Sequence, residues 1–316
     1  MKTKFSQMVL YGITILAAIA LPLFIKSDYD FHVLIMVGIL SILTMGFNLI
    51  FGYIGQLSLG HTAYYAIGAY ASALATLKWG FSFWSGLLFA TVVAGIFGLV
   101  IGVVALRWRS HFFVIATICF WGIIHLIIIN WVSLTNGPVG LGNIRVPSLW
   151  GMEFSGKVHF YYLVLAFVLA VLWLTRRIIF SPIGRAFRAI HENEPLAESV
   201  GISAYRFAML AFVVATALAG TAGSLSAHYV TYISPEIGDF SVMITILVMV
   251  VLGGKGTIVG PLIGALIVTF LQEYLRFTKE FRLPIFGLIL ILGIVFLPRG
   301  IISLPKLIHS RKKEER

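Results

Sequence analysis

Apolar, charge-free stretches follow one another along the chain: Phe5–Ile25, Phe31–Leu77, Trp79–Leu106, Ser110–Ile144, Val158–Thr175, Phe207–Pro235, Phe240–Gly254, Gly256–Gln272 and Leu283–Pro298. A single membrane crossing takes roughly 20 apolar residues. The 47-residue run from Phe31 therefore holds two crossings with the Gly-rich Phe51–Gly60 between them. Ser110–Ile144 holds one helix and a polar tail that begins near Thr135. This pattern predicts an all-α integral membrane protein, a polytopic helical bundle of about ten hydrophobic segments, of which roughly eight to ten span. Phe240–Gly254 and Gly256–Gln272 are short for full crossings and read equally as half-helices meeting at Gly253-Gly254-Lys255-Gly256.

Helices in lipid approach one another through small residues at helical spacing. Ala215, Ala219, Gly223 and Ala227 recur every fourth position, as do Ala94, Gly98 and Gly102, and Gly260 with Gly264. These stripes predict a compact bundle interior. Gly52 and Gly55 match Gly253 and Gly256 at an offset of 201 residues, a hint of an internal inverted repeat.

Composition supports the bilayer reading: 59% of the 316 residues are apolar, 11% are charged and the mean hydropathy is +0.99. So few charges cannot cover the surface of a water-soluble protein of this size. The formal net charge of +11 then asks which side of the membrane the cations occupy, not whether nucleic acid binds. With the N-terminus cytoplasmic, sixteen of the 23 Lys and Arg fall on the inner pieces and seven on the outer ones. That obeys the positive-inside rule and places both termini in the cytoplasm. Ala18-Ile19-Ala20 fits a signal-peptidase pattern, but the apolar run continues past it to Ile25, so the segment is expected to be retained.

Catalytic chemistry is scarce. Glu273 sits at a segment end and Glu236 and Asp239 in an outer loop, while His61, His111, His125 and His228 lie on different segments without the i, i+4 pairing of a metal site. Each histidine reads as a hydrogen-bonded packing residue, and Cys119, the one cysteine, as a small packing residue within an apolar run. Gly253-Gly254-Lys255-Gly256-Thr257 is not a phosphate loop, because a glycine follows the lysine where Ser or Thr is required. No cofactor or metal is expected. Proton-coupled carriers need intramembrane acids or histidines, so the missing carboxylate relay argues that any uphill transport draws energy from another subunit.

The longest inner loop, Arg176–Arg206, suits that role. Ser181 with Pro182 reads as an N-cap and first helical position. Ile183, Phe187 and Ile190 then line one face, with Arg185, Arg188 and Glu192 on another. Pro195 restarts a short second helix that Gly201 can close in a left-handed cap. The element can dock into a groove on a soluble partner or simply anchor in the headgroups.

This loop, continued through FAMLAFVVATALAGTAGSLSA (207–227), resembles permease subunits of bacterial branched-chain amino-acid ABC importers, the LivM-like group. FGYIGQLSLGHTAYYAIGAYASA (51–73), the stretch 107–141 and VLGGKGTIVGPLIGA (251–265) extend the resemblance from about Asn48 to Gln272. It implies a single transmembrane permease domain over 1–300 with a basic cytoplasmic tail at 301–316, in the bacterial inner membrane. It also implies two cytoplasmic ATPases that bind the ATP, a second permease forming a heterodimer, and an extracytoplasmic solute-binding protein. The stretch Glu192–Gly201 looks like the ATPase-contacting loop, with Glu194, Ala197 and Glu198 as its coupling face. Pro195-Leu196-Ala197 departs from the Glu-Ala-Ala that generally stands six residues before the loop glycine. Gly52, Gly55, Gln56, Ser58, Gly60 and His61 match the Gly-rich segment, expected on the translocation pathway or, alternatively, in tight helix packing. Thr135, Asn136, Gly137 and Pro138 match an outer loop expected to face the binding protein or simply to turn. A sparse apolar path suits Leu, Ile or Val; the same family also serves urea and short amides, and a self-contained ion-coupled carrier is the alternative from a different class.

Overall fold

A computed structural model describes residues 19–22, 27–107, 111–149, 152–153, 156–274, 284–285, 287–289, 291–292 and 300–303. The predicted first and tenth segments, most of the basic tail and the peptidase pattern at Ala18 lie largely outside these residues. The described chain is helical apart from a two-rung antiparallel ladder pairing β1 (Ser148–Leu149) with β2 (Met152–Glu153).

The helices are α1 (Asp28–Asn48), α2 (His61–Lys78), α3 (Phe83–Ala105), α4 (His111–Asn130), a single turn α5 (Val132–Thr135) and α6 (Lys157–Phe180). There follow α7 (Pro182–Glu192), α8 (Glu194–Ser199), α9 (Ala204–Val230), α10 (Phe240–Gly253) and α11 (Gly260–Tyr274). Five are long and apolar enough to cross a membrane: α1 with its π-helical extension Leu49–Ile54, α3, α4, α6 and α9. The chain is thus a multi-pass membrane protein.

Turns gather at two ends of the bundle. At the loop end, residues 52–60 meet α7, Thr117 and the turn 254–259. At the far end, the Lys78 ammonium donates to the Ser133 carbonyl, Lys157 pairs with Asp28 at 3.5 Å, and Leu141 bridges Ile233.

The small-residue stripes determine which helices meet. A Cβ on Gly68 of α2 would lie 2.3 Å from the Gly220 carbonyl oxygen of α9, so backbones touch where these helices cross. Gly223 abuts the Tyr65 carbonyl, and Gly98 of α3 abuts Thr216. Helices α1 and α9 consequently form the buried centre, with Ile35, Ile39, Ile42, Phe47, Phe212, Ala215 and Ala219 fully enclosed. Helices α3 and α4 turn Leu88, Ile96, Val104, Phe112, Ile123 and Leu126 outward. Cys119 is exposed on α4 with them and is not a packing residue.

Helices α10 and α11, the two short apolar segments, pack side by side. They run antiparallel, Gly253 against Gly260 and Gly264 against Met249. The Gln272 amide donates to Thr245 at 2.9 Å. Along α1, the partners of α11 range from the Tyr29 hydroxyl on Glu273 at the far end to Asn48 on Thr257 at the loop end. Helix α11 thus runs along α1, and α10, with 14 residues, is about 21 Å of helix.

Among the histidines, His228 matches the packing expectation. Its Nε2 accepts from Ser72 at 2.8 Å, Ser72 accepts from Ser224, and Nδ1 donates to the Arg145 carbonyl at 2.6 Å, a network that assigns the neutral Nδ1–H tautomer. His125 stacks on Trp121 and stands 3.9 Å from Asp239, and His111 is exposed at the start of α4. His61 departs from the expectation.

Candidate functional site

The Gly-rich segment sits at the loop end and joins α1 to α2. Its backbone leaves α1 through the π-helical turn Leu49–Ile54 and reverses at Gly55, whose φ of +88° is strained for any residue with a Cβ. Gly52 packs against Gly256 and Gly60 against the Thr117 carbonyl, at distances that leave no room for a side chain. Gly52, Gly55 and Gly60 are thus required by close approach, and they set the turn against α7 and the start of α2 against α4.

A run of polar atoms here is buried without partners. Gln56 Oε1, Ser58 Oγ, both ring nitrogens of His61, Thr62 Oγ1 and Tyr64 OH make no hydrogen bond. The Leu43 carbonyl interacts with His61 electrostatically but lacks hydrogen-bond geometry. His61 is wholly enclosed, with its ring 5.4 Å from Phe47 and 6.4 Å from Tyr64; Tyr64 in turn contacts Phe120 and Phe212. Since nearly all buried polar groups in native proteins are paired, this string of orphans marks the segment as a candidate site. Aromatic walls with unpaired polar atoms suit a ligand that is apolar at one end and polar at the other.

The coupling loop folds as its sequence dictates. Ser181 accepts from the Ile183 N–H at 3.1 Å, Pro182 opens α7, and Phe187 and Ile190 are buried beneath it while Arg185, Arg188 and Glu192 stay outside. Asn193 ends α7 and caps α8, its Oδ1 accepting from Leu196 N–H at 3.1 Å. Gly201, at φ +88°, donates to the Glu198 carbonyl and closes α8.

Two assignments on this loop change. Ala197 is only 3% exposed and faces the protein, so it cannot form a contact face with Glu194 and Glu198. The outward apolar positions are Leu196 and Val200, 63% and 71% exposed. Arg188 folds back, its guanidinium donating to the Ile179 carbonyl at 3.0 Å, and so ties α7 to the end of α6.

In the turn at the far end, Thr135 and Gly137 are buried, and the Thr135 hydroxyl donates to the Ile128 carbonyl at 2.7 Å. They shape the turn from within and cannot face a binding protein; Asn136 and Pro138 are exposed. Beside it, partial burial pushes the Asp239 carboxyl above its ordinary pKa, with His125 opposing the shift and Glu236 adding to it.

Sequence reasoning missed Asn48, His191, Leu196 and Val200. Asn48 Oδ1 accepts from Gly256 N–H at 2.9 Å and its Nδ2 donates to the Thr257 carbonyl at 2.8 Å. His191 lies against Gly55, where an added Cβ would come within 2.5 Å of the imidazole Nδ1. As the only amide in the apolar run 31–50, Asn48 carried a readable signal. Among the described residues, no three His, Cys, Asp or Glu side chains converge as a metal site would need.

Residues 30–297 match the sequence profile of a family described as branched-chain amino acid transport system / permease component. The chain is 32% identical over 313 residues to the high-affinity branched-chain amino acid transport system permease protein LivM of Escherichia coli, covering 92% of this chain and 73% of that one. It is 32% identical over 289 residues to the corresponding protein LivH of the same organism, covering 84% and 92%. It is also 30% identical over 192 residues to the autoinducer 2 import system permease protein LsrC of Klebsiella pneumoniae, covering 58% and 53%. No solved structure matches the chain.

Proposed function

The chain belongs to the family of branched-chain amino acid transport system permease components, and from that premise we propose that it translocates leucine, isoleucine and valine as one permease subunit of an ABC importer. Two ATPases on the cytoplasmic side bind and hydrolyse the ATP, a second, related permease completes the channel, and an extracytoplasmic binding protein delivers the solute. The membrane is the bacterial inner membrane. The chain crosses it about ten times with both termini cytoplasmic. Support for this orientation comes from the loop end, which carries Arg107, Arg176, Arg177, Arg185, Arg188, Arg206 and Lys255 against Lys78, Arg145 and Lys157 at the far end.

The observation that carries the translocation reading is the buried, unpaired polar run from Gln56 to Tyr64 beside Phe47, Phe120 and Phe212. A branched-chain amino acid offers an apolar side chain to the rings and two polar groups to the orphaned atoms. In the mechanism, Leu196 and Val200 engage the ATPase, α8 and α7 move with it, and the Gly-rich turn exposes the path to alternate sides.

The test is uptake of radiolabelled leucine by the reconstituted four-subunit membrane complex, with its binding protein, in vesicles that hold ATP. ATP-dependent uptake is expected. Uptake of urea or a short amide without leucine overturns the solute, and leucine uptake that needs no ATPase but collapses with an uncoupler overturns the importer.

A further inference from the structure

The two regions discussed above meet where α7 packs against the π-helical turn. His191 is the next-to-last residue of α7, two positions before Asn193, which ends α7 and caps α8. Its imidazole lies directly against Gly55, the residue where the π-helical turn ends and the polar run begins. On one side of this contact, Leu196 and Val200 project from α8 and the turn that follows it. On the other, Gln56, Ser58 and His61 follow within six residues.

Three features make the contact suited to carrying displacement. Gly55 has no side chain, so the ring bears on backbone and not on a rotatable group. The turn is itself pinned, since the Gly55 N–H donates to the Ile50 carbonyl and the adjacent Gln56 N–H bonds the same oxygen at 3.1 Å. Helix α7 is anchored on the other side through Phe187, wholly buried and edge-on to Phe207 of α9. Both His191 and Gly55 are exposed, so the contact lies at the surface edge of α7, and it is the buried Phe187 that makes a shift of the helix carry the ring against the turn.

We propose that the His191–Gly55 contact is the joint through which movement of the ATPase-facing loop reaches the solute-facing turn, which makes His191 a positioning residue for transport. The proposal rests on the reading of α8 and its flanking turn as the ATPase-docking element.

The test uses the assembled complex in vesicles, with ATP hydrolysis and leucine uptake measured on the same preparation. His191→Ala is expected to assemble and hydrolyse ATP normally while uptake per ATP falls about fivefold or more, the range of ordinary coupling between sites; Gly55→Ala, which also strains the turn, is expected to lose at least as much. The double variant is expected to lose no more than the worse single one, because a joint already broken cannot be broken twice. Unchanged uptake per ATP in His191→Ala overturns the proposal, as do multiplying losses in the double variant. Loss of assembly or of hydrolysis in step with uptake also overturns it, because His191 would then belong to the docking surface itself. Leu196→Asp separates the premise: if the ATPases still co-purify with that variant at full yield, the docking reading fails whatever His191 and Gly55 do.

Discussion

The backbone N–H of Gly256 donates to Asn48 Oδ1 at 2.9 Å, across 208 residues of sequence. The same amide group donates to the Thr257 carbonyl, so one buried side chain holds the turn between α10 and α11 against the end of α1. Asn48→Ala leaves both backbone groups unpaired, at a cost of about 1–3 kcal/mol for each buried group. A clear fall in the detergent-solubilised protein's melting temperature is expected, and an unchanged one would mean that water reaches both groups.

Gly68 and Gly122 should respond in opposite directions to the same change. Both lie within helices, where alanine gains roughly 0.5–1 kcal/mol over glycine. At Gly122 an added Cβ meets nothing within 4 Å, whereas at Gly68 it meets the Gly220 backbone, which cannot swing aside. Gly122→Ala is expected to match or exceed the parent in thermal stability, and Gly68→Ala to lose about 1–3 kcal/mol.

Leu196→Asp sets a charge on the outward apolar position of α8 while the fold beneath, anchored by Ala197 and Phe187, stays intact. Loss of a well-packed interface anchor costs about 2 kcal/mol or more, roughly thirtyfold in affinity. Co-purification of the ATPases should fall accordingly, while Ser199→Ala, which removes only a hydroxyl bonded within α8, should leave it unchanged.

Asp239 gives the pH dependence its sign. A carboxyl whose folded pKa is raised binds its proton more tightly in the fold than in the unfolded chain, so its contribution is complete below the unfolded pKa and is lost as pH rises through the folded one. Melting temperature measured upward from about pH 4 should therefore fall less in Asp239→Asn than in the parent. A parallel fall in both would remove Asp239 as the cause.

What could be read from the sequence followed from periodicity. Ala215, Ala219 and Gly223 repeat every fourth residue, which fixes a helix face, and that face meets Tyr65 and Gly46. The charge-free runs likewise located α1 and α2 with their turn. Cys119 could not be oriented because α4 is apolar on all sides, so no stripe distinguishes inside from outside. Six residues of α8 are too few to establish a face, and the family resemblance that puts Ala197 on the coupling face carries no information on which way its side chain turns. The contact of His191 with Gly55 left no trace because a residue without a side chain announces no pairing.

The central position of α9 bears on how the protein is built. It is the least apolar of the five long helices and the most enclosed after α1, whereas α3 and α4 are the most apolar and little buried. Helices α3 and α4 are at home among acyl chains by themselves. Helix α9 carries Thr216, Thr221, Ser224, Ser226 and His228, and it is synthesised after the three helices that wall it. Biogenesis must therefore hold open a slot lined with glycine and alanine until its least lipid-soluble strut arrives. A chain released before Ala204 would present that slot to lipid, which marks this interval in synthesis as the one most exposed to misassembly.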